Sequence, residues 1–401
     1  MRSFNNRGPR RPFPARKFNN RPQRRGGRGG NGQLGQFINP AKFISKAVAT
    51  QDVVEFKPEH KFQNFNLDSR LKSNVLNKGY NLPTPIQDKI IPHILSESDV
   101  VGIANTGTGK TAAFLIPLIN KVLYHRSSKV LIVVPTRELA IQIDTEFKAL
   151  VRGLETYSVC CVGGMSIGRQ ISELRLRNHF IIGTPGRLKD LIERKMIFLS
   201  EFKTIVLDEA DRMLDMGFIR DMRFIMSGMP KERHTLFFSA TISHEIERLV
   251  SEFLKNPVRI SVKTGDTCQN VEQDVVKVAG KNKLDVLHEL LNQKEFCKVL
   301  VFGRTKHGVE KLSRTLVERG FKADSIHGNK NHSGRQRALT AFKSNRVTIL
   351  VATDVAARGL DIPDISHVIN YDLPTTYEDY VHRIGRTGRY NKLGKALTFI
   401  D

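Results

Sequence analysis

A chain of 401 residues, 40% hydrophobic and 26% charged, is long enough for two or three domains with buried cores, and its composition excludes a fibrous or wholly disordered protein. A net charge of +24 points to a polyanionic partner. No apolar run approaches the ~18 residues needed to cross a bilayer, and the basic N-terminus lacks the apolar segment of a secretory signal. These features lead us to expect a cytoplasmic protein that engages no membrane. The cysteines, Cys160, Cys161, Cys268 and Cys297, form no Cys-x-x-Cys pair and read as free thiols of a reducing compartment.

Residues 1–36 are rich in Arg, Gly, Asn and Pro and are expected to be a disordered arm. "FNNRGPRR" from Phe4 nearly repeats as "FNNRPQRR" from Phe18, and "RGGRGG" follows at 25–30. Arginines beside Phe and Gly suit sequence-tolerant contact with nucleic acid, with a merely solubilising tail as the alternative. Residues 37–59 read as a linker. From residue 60 the pattern becomes α/β. Strand-length apolar runs occur at 100–104, 130–134, 180–184, 204–207 and 235–240, separated by helical stretches such as 138–150. A polar stretch, 263–272, reads as a second linker. Further strands are expected at 298–302, 347–353, 367–372 and 395–400. The expectation is two α/β domains, 60–262 and 273–401, each a mostly parallel sheet with helices on both faces.

The first chemical signal is "ANTGTGKT", Ala104, Asn105, Thr106, Gly107, Thr108, Gly109, Lys110 and Thr111, between an expected strand and an expected helix. That context fits a phosphate loop. Glycines allow a tight turn whose N–H groups face phosphates, Lys110 neutralises them, and the Thr111 hydroxyl can ligate Mg²⁺. Ala104 replaces the first Gly of the generic pattern. "TIVLDEADRML" at 204–214 fits locally either an acidic helix start or a metal-and-water site. With a phosphate loop upstream, Asp208 becomes the candidate metal carboxylate and Glu209 the general base, both at the strand end where open α/β sheets bind ligands. Ser239 and Thr241 of "SAT" end another strand and belong to the same edge. Asp211 begins a helix and can link to "SAT" or to a downstream arginine-rich motif. "NKLD" at 282–285 has the form of a guanine-selecting motif, but it runs into a helix and follows no strand, so it reads as a chance match.

These segments together resemble the DEAD-box family of ATP-dependent RNA helicases, with "DEAD" itself at 208–211 and a likeness running from about Phe62 to the C-terminus. The resemblance implies tandem RecA-like domains, with ATP and Mg²⁺ as cofactors and RNA as partner. It makes "GYNLPTPIQ" at 79–87 a Q motif in which Gln87 reads adenine and Phe62 stacks on it. "PTRELA", "GG" and "TPGRL" become RNA-contacting segments through Arg137, Gly163, Gly164, Thr184 and Arg187; taken alone they would be ordinary turns and caps. In the second domain "VFGRTK" supplies Arg304 and "ATDVAARGLDI" supplies Thr353 and Asp354 on the RNA side, Arg358 as support for the cleft, and Asp361 near the ribose. "HRIGRTGR" at 382–389 supplies Arg386 and Arg389 as arginine fingers, and His382 as a link to the DEAD segment. The sequence departs from the family at "HGNKNHSGR", where Asn329 and His332 replace the usual Asp and Gln while Arg335 is kept. It also reaches Asp401 without the family's usual final helix. "IHGNK" and "VFGRTKHG" lean toward the RhlE-type bacterial subgroup.

The expected function is RNA-stimulated ATP hydrolysis that unwinds or remodels RNA duplexes or RNA–protein complexes. The rivals are a DNA-directed helicase or translocase and an RNA chaperone acting mainly through the arm. Ribosomal or RNA-degradation assemblies are candidate partners, and a monomeric or weakly self-associating protein is expected.

Overall fold

The computed structural model describes residues 43–45, 56–105, 107–262, 270–357, 362–388 and 393–400. The expected arm at 1–36, most of the two expected linkers, and the candidate residues Thr106, Arg358, Asp361 and Arg389 lie outside the described residues, as does the side chain of His332.

The first sheet has seven strands: β1 (Val100–Ala104), β2 (Val130–Val133), β3 (Ser158–Cys161), β4 (Phe180–Gly183), β5 (Thr204–Leu207), β6 (His234–Ser239) and β7 (Val258–Val262). They lie in the order β3-β4-β2-β5-β6-β1-β7, and every neighbouring pair is parallel. The inner strands are buried at every position, and mostly apolar, because both faces of the sheet are covered. Along β2, Val130 and Ile132 join one hydrophobic cluster while Leu131 and Val133 join the other.

The second sheet has six strands: β8 (Val271–Lys277), β9 (Val299–Phe302), β10 (Ala323–Ile326), β11 (Ile349–Ala352), β12 (His367–Asn370) and β13 (Gly394–Ile400). Their order is β10-β11-β9-β12-β13-β8, again all parallel. Leu300 and Phe302 of β9 face one cluster, and Val299 and Val301 face the other. Both sheets carry helices on both faces, and together they form tandem RecA-like domains.

Two expectations at the expected linkers need correction. β8 starts at Val271, so the end of the 263–272 stretch is already strand. Ser45, expected within a linker, pairs antiparallel with Gln273 at the edge of the second sheet, and Phe43 beside it is 1% exposed within that domain's core. Among the described residues no helix is long and apolar enough to cross a membrane. Cys160, Cys161 and Cys297 are free thiols, and burial pushes Cys160 up to about 12.

Because all strands of the first sheet run one way, the segments after β1, β2, β4, β5 and β6 share its C-terminal edge. Those segments carry the phosphate loop, Arg137, Thr184, Asp208 and the Ser239–Thr241 turn. Parallel topology alone brings together motifs far apart in sequence.

Candidate nucleotide and nucleic-acid site

The phosphate loop leaves β1 and enters the helix Lys110–Tyr124 through Gly109, whose φ of +92° is a left-handed conformation that glycine adopts without strain. The loop is tied to the segment before β1. Thr84 Oγ1 donates to the Thr108 carbonyl at 2.8 Å, and Gln87 Nε2 donates to the Gly109 carbonyl at 3.0 Å. Gln87 Oε1 also accepts from the Thr84 N–H at 2.9 Å, closing a capping box on the helix Pro85–Leu95. A primary amide has two donor hydrogens and two acceptor lone pairs, so these bonds leave Gln87 one of each. Thr108 Oγ1 donates to the Asn105 carbonyl at 2.8 Å, bracing the loop internally. Lys110 is buried and its Nζ donates to the Ala104 carbonyl at 2.8 Å. Thr111 lies in the first turn of its helix. Phe62 is fully buried, packed between Phe65 and Tyr80 at centroid distances of 5.9 and 5.8 Å. In this structure it therefore serves the core and presents no free face for stacking.

β5 delivers Asp208 and Glu209 to the same edge, both buried. Burial raises the Asp208 carboxyl to about 6, opposed by the nearby Lys110 cation and reinforced by the Glu209 charge. Its Oδ1 accepts the Glu209 N–H at 2.9 Å. Glu209 adopts a left-handed backbone, φ +53°, as the residue ahead of the helix Ala210–Asp215. A non-glycine residue held there carries local strain of the kind that collects at functional sites. Its Oε2 accepts from Arg212 Nη1 at 2.6 Å, and the Arg212 side chain is only 2% exposed. Asp211 binds the neighbouring turn. Its Oδ2 accepts from the Ala240 N–H and Thr241 N–H, both at 3.0 Å, and from Thr241 Oγ1 at 3.2 Å. Burial works to raise the Asp211 carboxyl, yet Arg212, Lys110 and His382 together hold it below the usual carboxylate range. The expected link from Asp211 to "SAT" is thus present, and His382 lies close enough to act on it. Ser239 Oγ donates to the Thr241 carbonyl at 2.8 Å within the same turn.

A groove of about 440 Å³ adjoins this edge, lined by Arg137, Gly163, Thr184 and Arg187 of the first domain and by Gly328, Arg335 and Val355 of the second, among others. The Arg137 guanidinium lies against Gly163 and Gly164 so closely that a Cβ on Gly164 would sit 2.1 Å from its Nη1. Arg187 Nη1 donates to Gln170 Oε1 at 3.0 Å. Arg335 Nη2 pairs with Glu138 Oε1 at 2.8 Å across the two domains. Burial lowers the Arg335 pKa, and Glu138 opposes that shift. At the departure from the family pattern, Asn329 Oδ1 accepts from Lys306 Nζ at 2.9 Å.

The second-domain candidates divide. Thr353 is buried, donating its N–H to the Ile326 carbonyl at 3.3 Å. Asp354 forms a two-point pair with Arg383, Oδ1 with Nε at 2.5 Å and Oδ2 with Nη2 at 2.7 Å. In this structure, then, its carboxylate holds the two arginine-motif segments together rather than lying open to a ligand. Arg304 is exposed, with its N–H on Asp372 Oδ2 at 2.7 Å, and is not among the groove-lining residues. Arg386 is 4% exposed, and its Nε donates to the His382 carbonyl at 3.3 Å. Sequence reading missed Arg212 and Arg383. The first carries a usable signal, three residues after an acid on a helix start. The second has partners scattered over Asp354, Asn370 and Asp372, which no local pattern connects.

Two family models match the chain in order, a DEAD/DEAH box helicase over residues 84–249 and a helicase conserved C-terminal domain over 282–391. An ATP-dependent RNA helicase CshA of Listeria monocytogenes is 46% identical over 85% of this chain, which spans 66% of that protein. A DEAD-box ATP-dependent RNA helicase CshA of Bacillus subtilis is 46% identical over 84% of the chain, which spans 69% of it. Among solved structures, S. cerevisiae Dbp5 bound to RNA and ADP BeF3 superposes with a TM-score of 0.75 at 30% identity, covering 84% of this chain and 89% of that one. DEAD-box helicase Mss116 bound to ssRNA and UDP-BeF gives 0.77 at 30% identity, covering 86% and 76%. Two family models in order on two RecA-like sheets, and relatives alike over most of its length, make this chain a member of the DEAD-box family of ATP-dependent RNA helicases.

Proposed function

We propose that this protein hydrolyses ATP in response to RNA and uses the cycle to open short duplexes or remodel RNA–protein complexes. The observation that carries the reading is the gathering of a phosphate loop, a buried Asp208–Glu209 pair and an arginine-lined groove on one sheet edge. The first domain holds the nucleotide, and the second domain completes the site. Gln87 reads the adenine edge with its remaining donor and acceptor, and loop N–H groups with Lys110 hold the phosphates. Mg²⁺ suits the residues present, because burial disfavours the Asp208 charge and a divalent cation favours it. Thr111 and Asp208 would hold the ion, which supplies positive charge beside the phosphates.

Glu209 takes the proton from the attacking water, and Arg212 fixes the orientation of its carboxylate. Arg386 approaches from the second domain to stabilise charge that builds during transfer, and the family resemblance assigns Arg389 the same role. His382 and Asp211 relay the position of that domain to the Ser239–Thr241 turn, and the family resemblance assigns Asp361 to the ribose. Arg137, Gly163, Gly164, Thr184 and Arg187, with Arg304 and Thr353, form the RNA side, where guanidinium groups and backbone N–H suit phosphates rather than base identity, and Asp354 braces it through Arg383. Cytoplasmic action as a monomer, within ribosomal or RNA-degradation assemblies, completes the proposal.

The test is ATPase activity with single-stranded RNA, with DNA of the same sequence, and for Glu209→Gln. RNA is expected to stimulate and DNA to do so weakly. Glu209→Gln is expected to keep ATP and RNA binding while turnover falls by roughly 10²–10⁴. Normal hydrolysis by that variant would remove Glu209 from the role of base. Equal stimulation by DNA would favour a DNA-directed enzyme.

A further inference from the structure

We propose that Phe43 is a positioning residue for Arg386, acting through a strap by which the chain ahead of the first domain grips the second. Phe43 is 1% exposed and belongs to the same cluster as Val271, Tyr380 and Ile384. Its ring meets the Tyr380 ring at a centroid distance of 4.7 Å and an interplanar angle of 58°. Two residues on, Ser45 exchanges two backbone hydrogen bonds with Gln273, N–H to carbonyl at 3.0 Å and carbonyl to N–H at 2.8 Å. Gln273 is on β8, the margin strand of the second sheet, so Ser45 adds to an edge that no other strand pairs among the described residues.

The two grips converge. The Gln273 side chain accepts from the Tyr380 hydroxyl at 2.9 Å, and both residues are buried. Tyr380 sits on the helix Tyr377–Ile384, which carries His382 and Arg383, and Arg386 follows its end with Nε on the His382 carbonyl. Phe43 and Ser45 therefore bear on one face of the helix whose end presents Arg386. A buried aromatic with a large contact area sets a helix's position more firmly than an exposed contact does. A strap from before the first domain makes the finger's placement depend on residues that touch neither nucleotide nor RNA.

The inference rests on the finger reading of Arg386 given above, and the test separates the two. RNA-stimulated ATPase is measured on the full chain, with kcat and KM for ATP resolved at saturating RNA. Phe43→Ala is expected to lower kcat about five- to tenfold while KM for ATP stays within about twofold, because Gln87 and Lys110 belong to the other domain. Phe43→Leu restores most of the rate. Tyr380→Phe, which removes only a hydroxyl, lowers kcat two- to threefold and decides the matter should Phe43→Ala fail to fold. Phe43→Ala added to Arg386→Ala produces no further loss, since both act on one group. If Arg386→Ala loses activity while Phe43→Ala and Tyr380→Phe do not, the strap is overturned and the finger reading stands. If Phe43→Ala raises KM at constant kcat, or multiplies the loss of Arg386→Ala, it acts by another route and the proposal is overturned. If Arg386→Ala is fully active, the finger reading falls and takes the positioning role with it.

Discussion

Arg383→Ala should destabilise the second domain by about 4 kcal/mol. The Arg383 side chain is 2% exposed and spans four acceptors: both Asp354 oxygens, the Asp372 carbonyl at 2.6 Å and Asn370 Oδ1 at 3.3 Å. Its guanidinium also lies 5.1 Å from the centre of the Phe302 ring. Removing one partner of a buried pair costs ~3–5 kcal/mol. The Asp354 side chain is 26% exposed and regains some water, which puts this pair near 3 kcal/mol. The two carbonyl-type acceptors left behind add about 1 kcal/mol between them, because the vacated space admits water. With a urea m-value of about 2 kcal/mol/M for a domain of this size, the midpoint falls by about 2 M. Hydrogen exchange of peptides covering β11 and β12, followed against urea, isolates this domain from the other. Arg383→Lys should fall between, since it keeps the charge but loses the planar fork. The double variant Arg383→Met, Asp354→Asn should recover about half the loss by removing the stranded charge. A midpoint shift below about 0.5 M for Arg383→Ala, about 1 kcal/mol, refutes the reasoning.

His367 is buried and stacked on Phe296 at 4.0 Å, and burial lowers its pKa to about 4. The unfolded chain takes up a proton near pH 6.5 while the folded one resists until about 4, so stability present above 6.5 is lost as pH falls through that window. Between pH 7.5 and 5 the wild type should lose about 2 kcal/mol more than His367→Gln in denaturant titrations, and equal losses would exclude the ring as the cause. Gly109→Ala forces a left-handed residue and sets a Cβ 2.5 Å from Gln87 Nε2, so KM for ATP should rise at least about tenfold; an unchanged KM contradicts the loop geometry. Gly164→Ala, at φ +76°, displaces Arg137. RNA affinity should drop about five- to tenfold, with a salt slope shallower by about one and ATP affinity intact. RNA binding at wild-type strength would show that Arg137 contributes little.

The strands legible in the sequence were the inner ones. β1, β2, β4, β5, β6, β9, β11, β12 and β13 are short apolar runs, all but the last wholly buried. The four that went unread, β3, β7, β8 and β10, are the outermost strands of the two sheets. Their burial is partial, as in Val271–Lys277, where Glu272 and Asp274 are exposed on either side of buried Gln273. A strand with one open side needs no continuous apolar run, so it leaves a weak signal. The site divides in the same way. Glycine spacing and adjacent acids mark Gly109, Lys110, Asp208 and Glu209, because the chemistry is concentrated in consecutive residues. Arg212 leaves only its three-residue spacing from Glu209 as a signal, whereas Arg383 acts on partners scattered along the chain and Phe43 by packing into a distant domain, so neither of those two belongs to a readable word.

Those same polar margins bear on how copies behave when crowded along one RNA. An outermost strand offers unpaired N–H and C=O groups to any strand that arrives, and parallel sheets of this kind could join edge to edge. Arg259 on β7, Glu272 and Asp274 on β8 and Asp324 on β10 put charge where such a seam would have to close. Zipping two sheets together would strip water from those groups, and Ser45 already occupies part of the β8 margin. Charge at the β7, β8 and β10 margins therefore disfavours edge-to-edge pairing of two copies there.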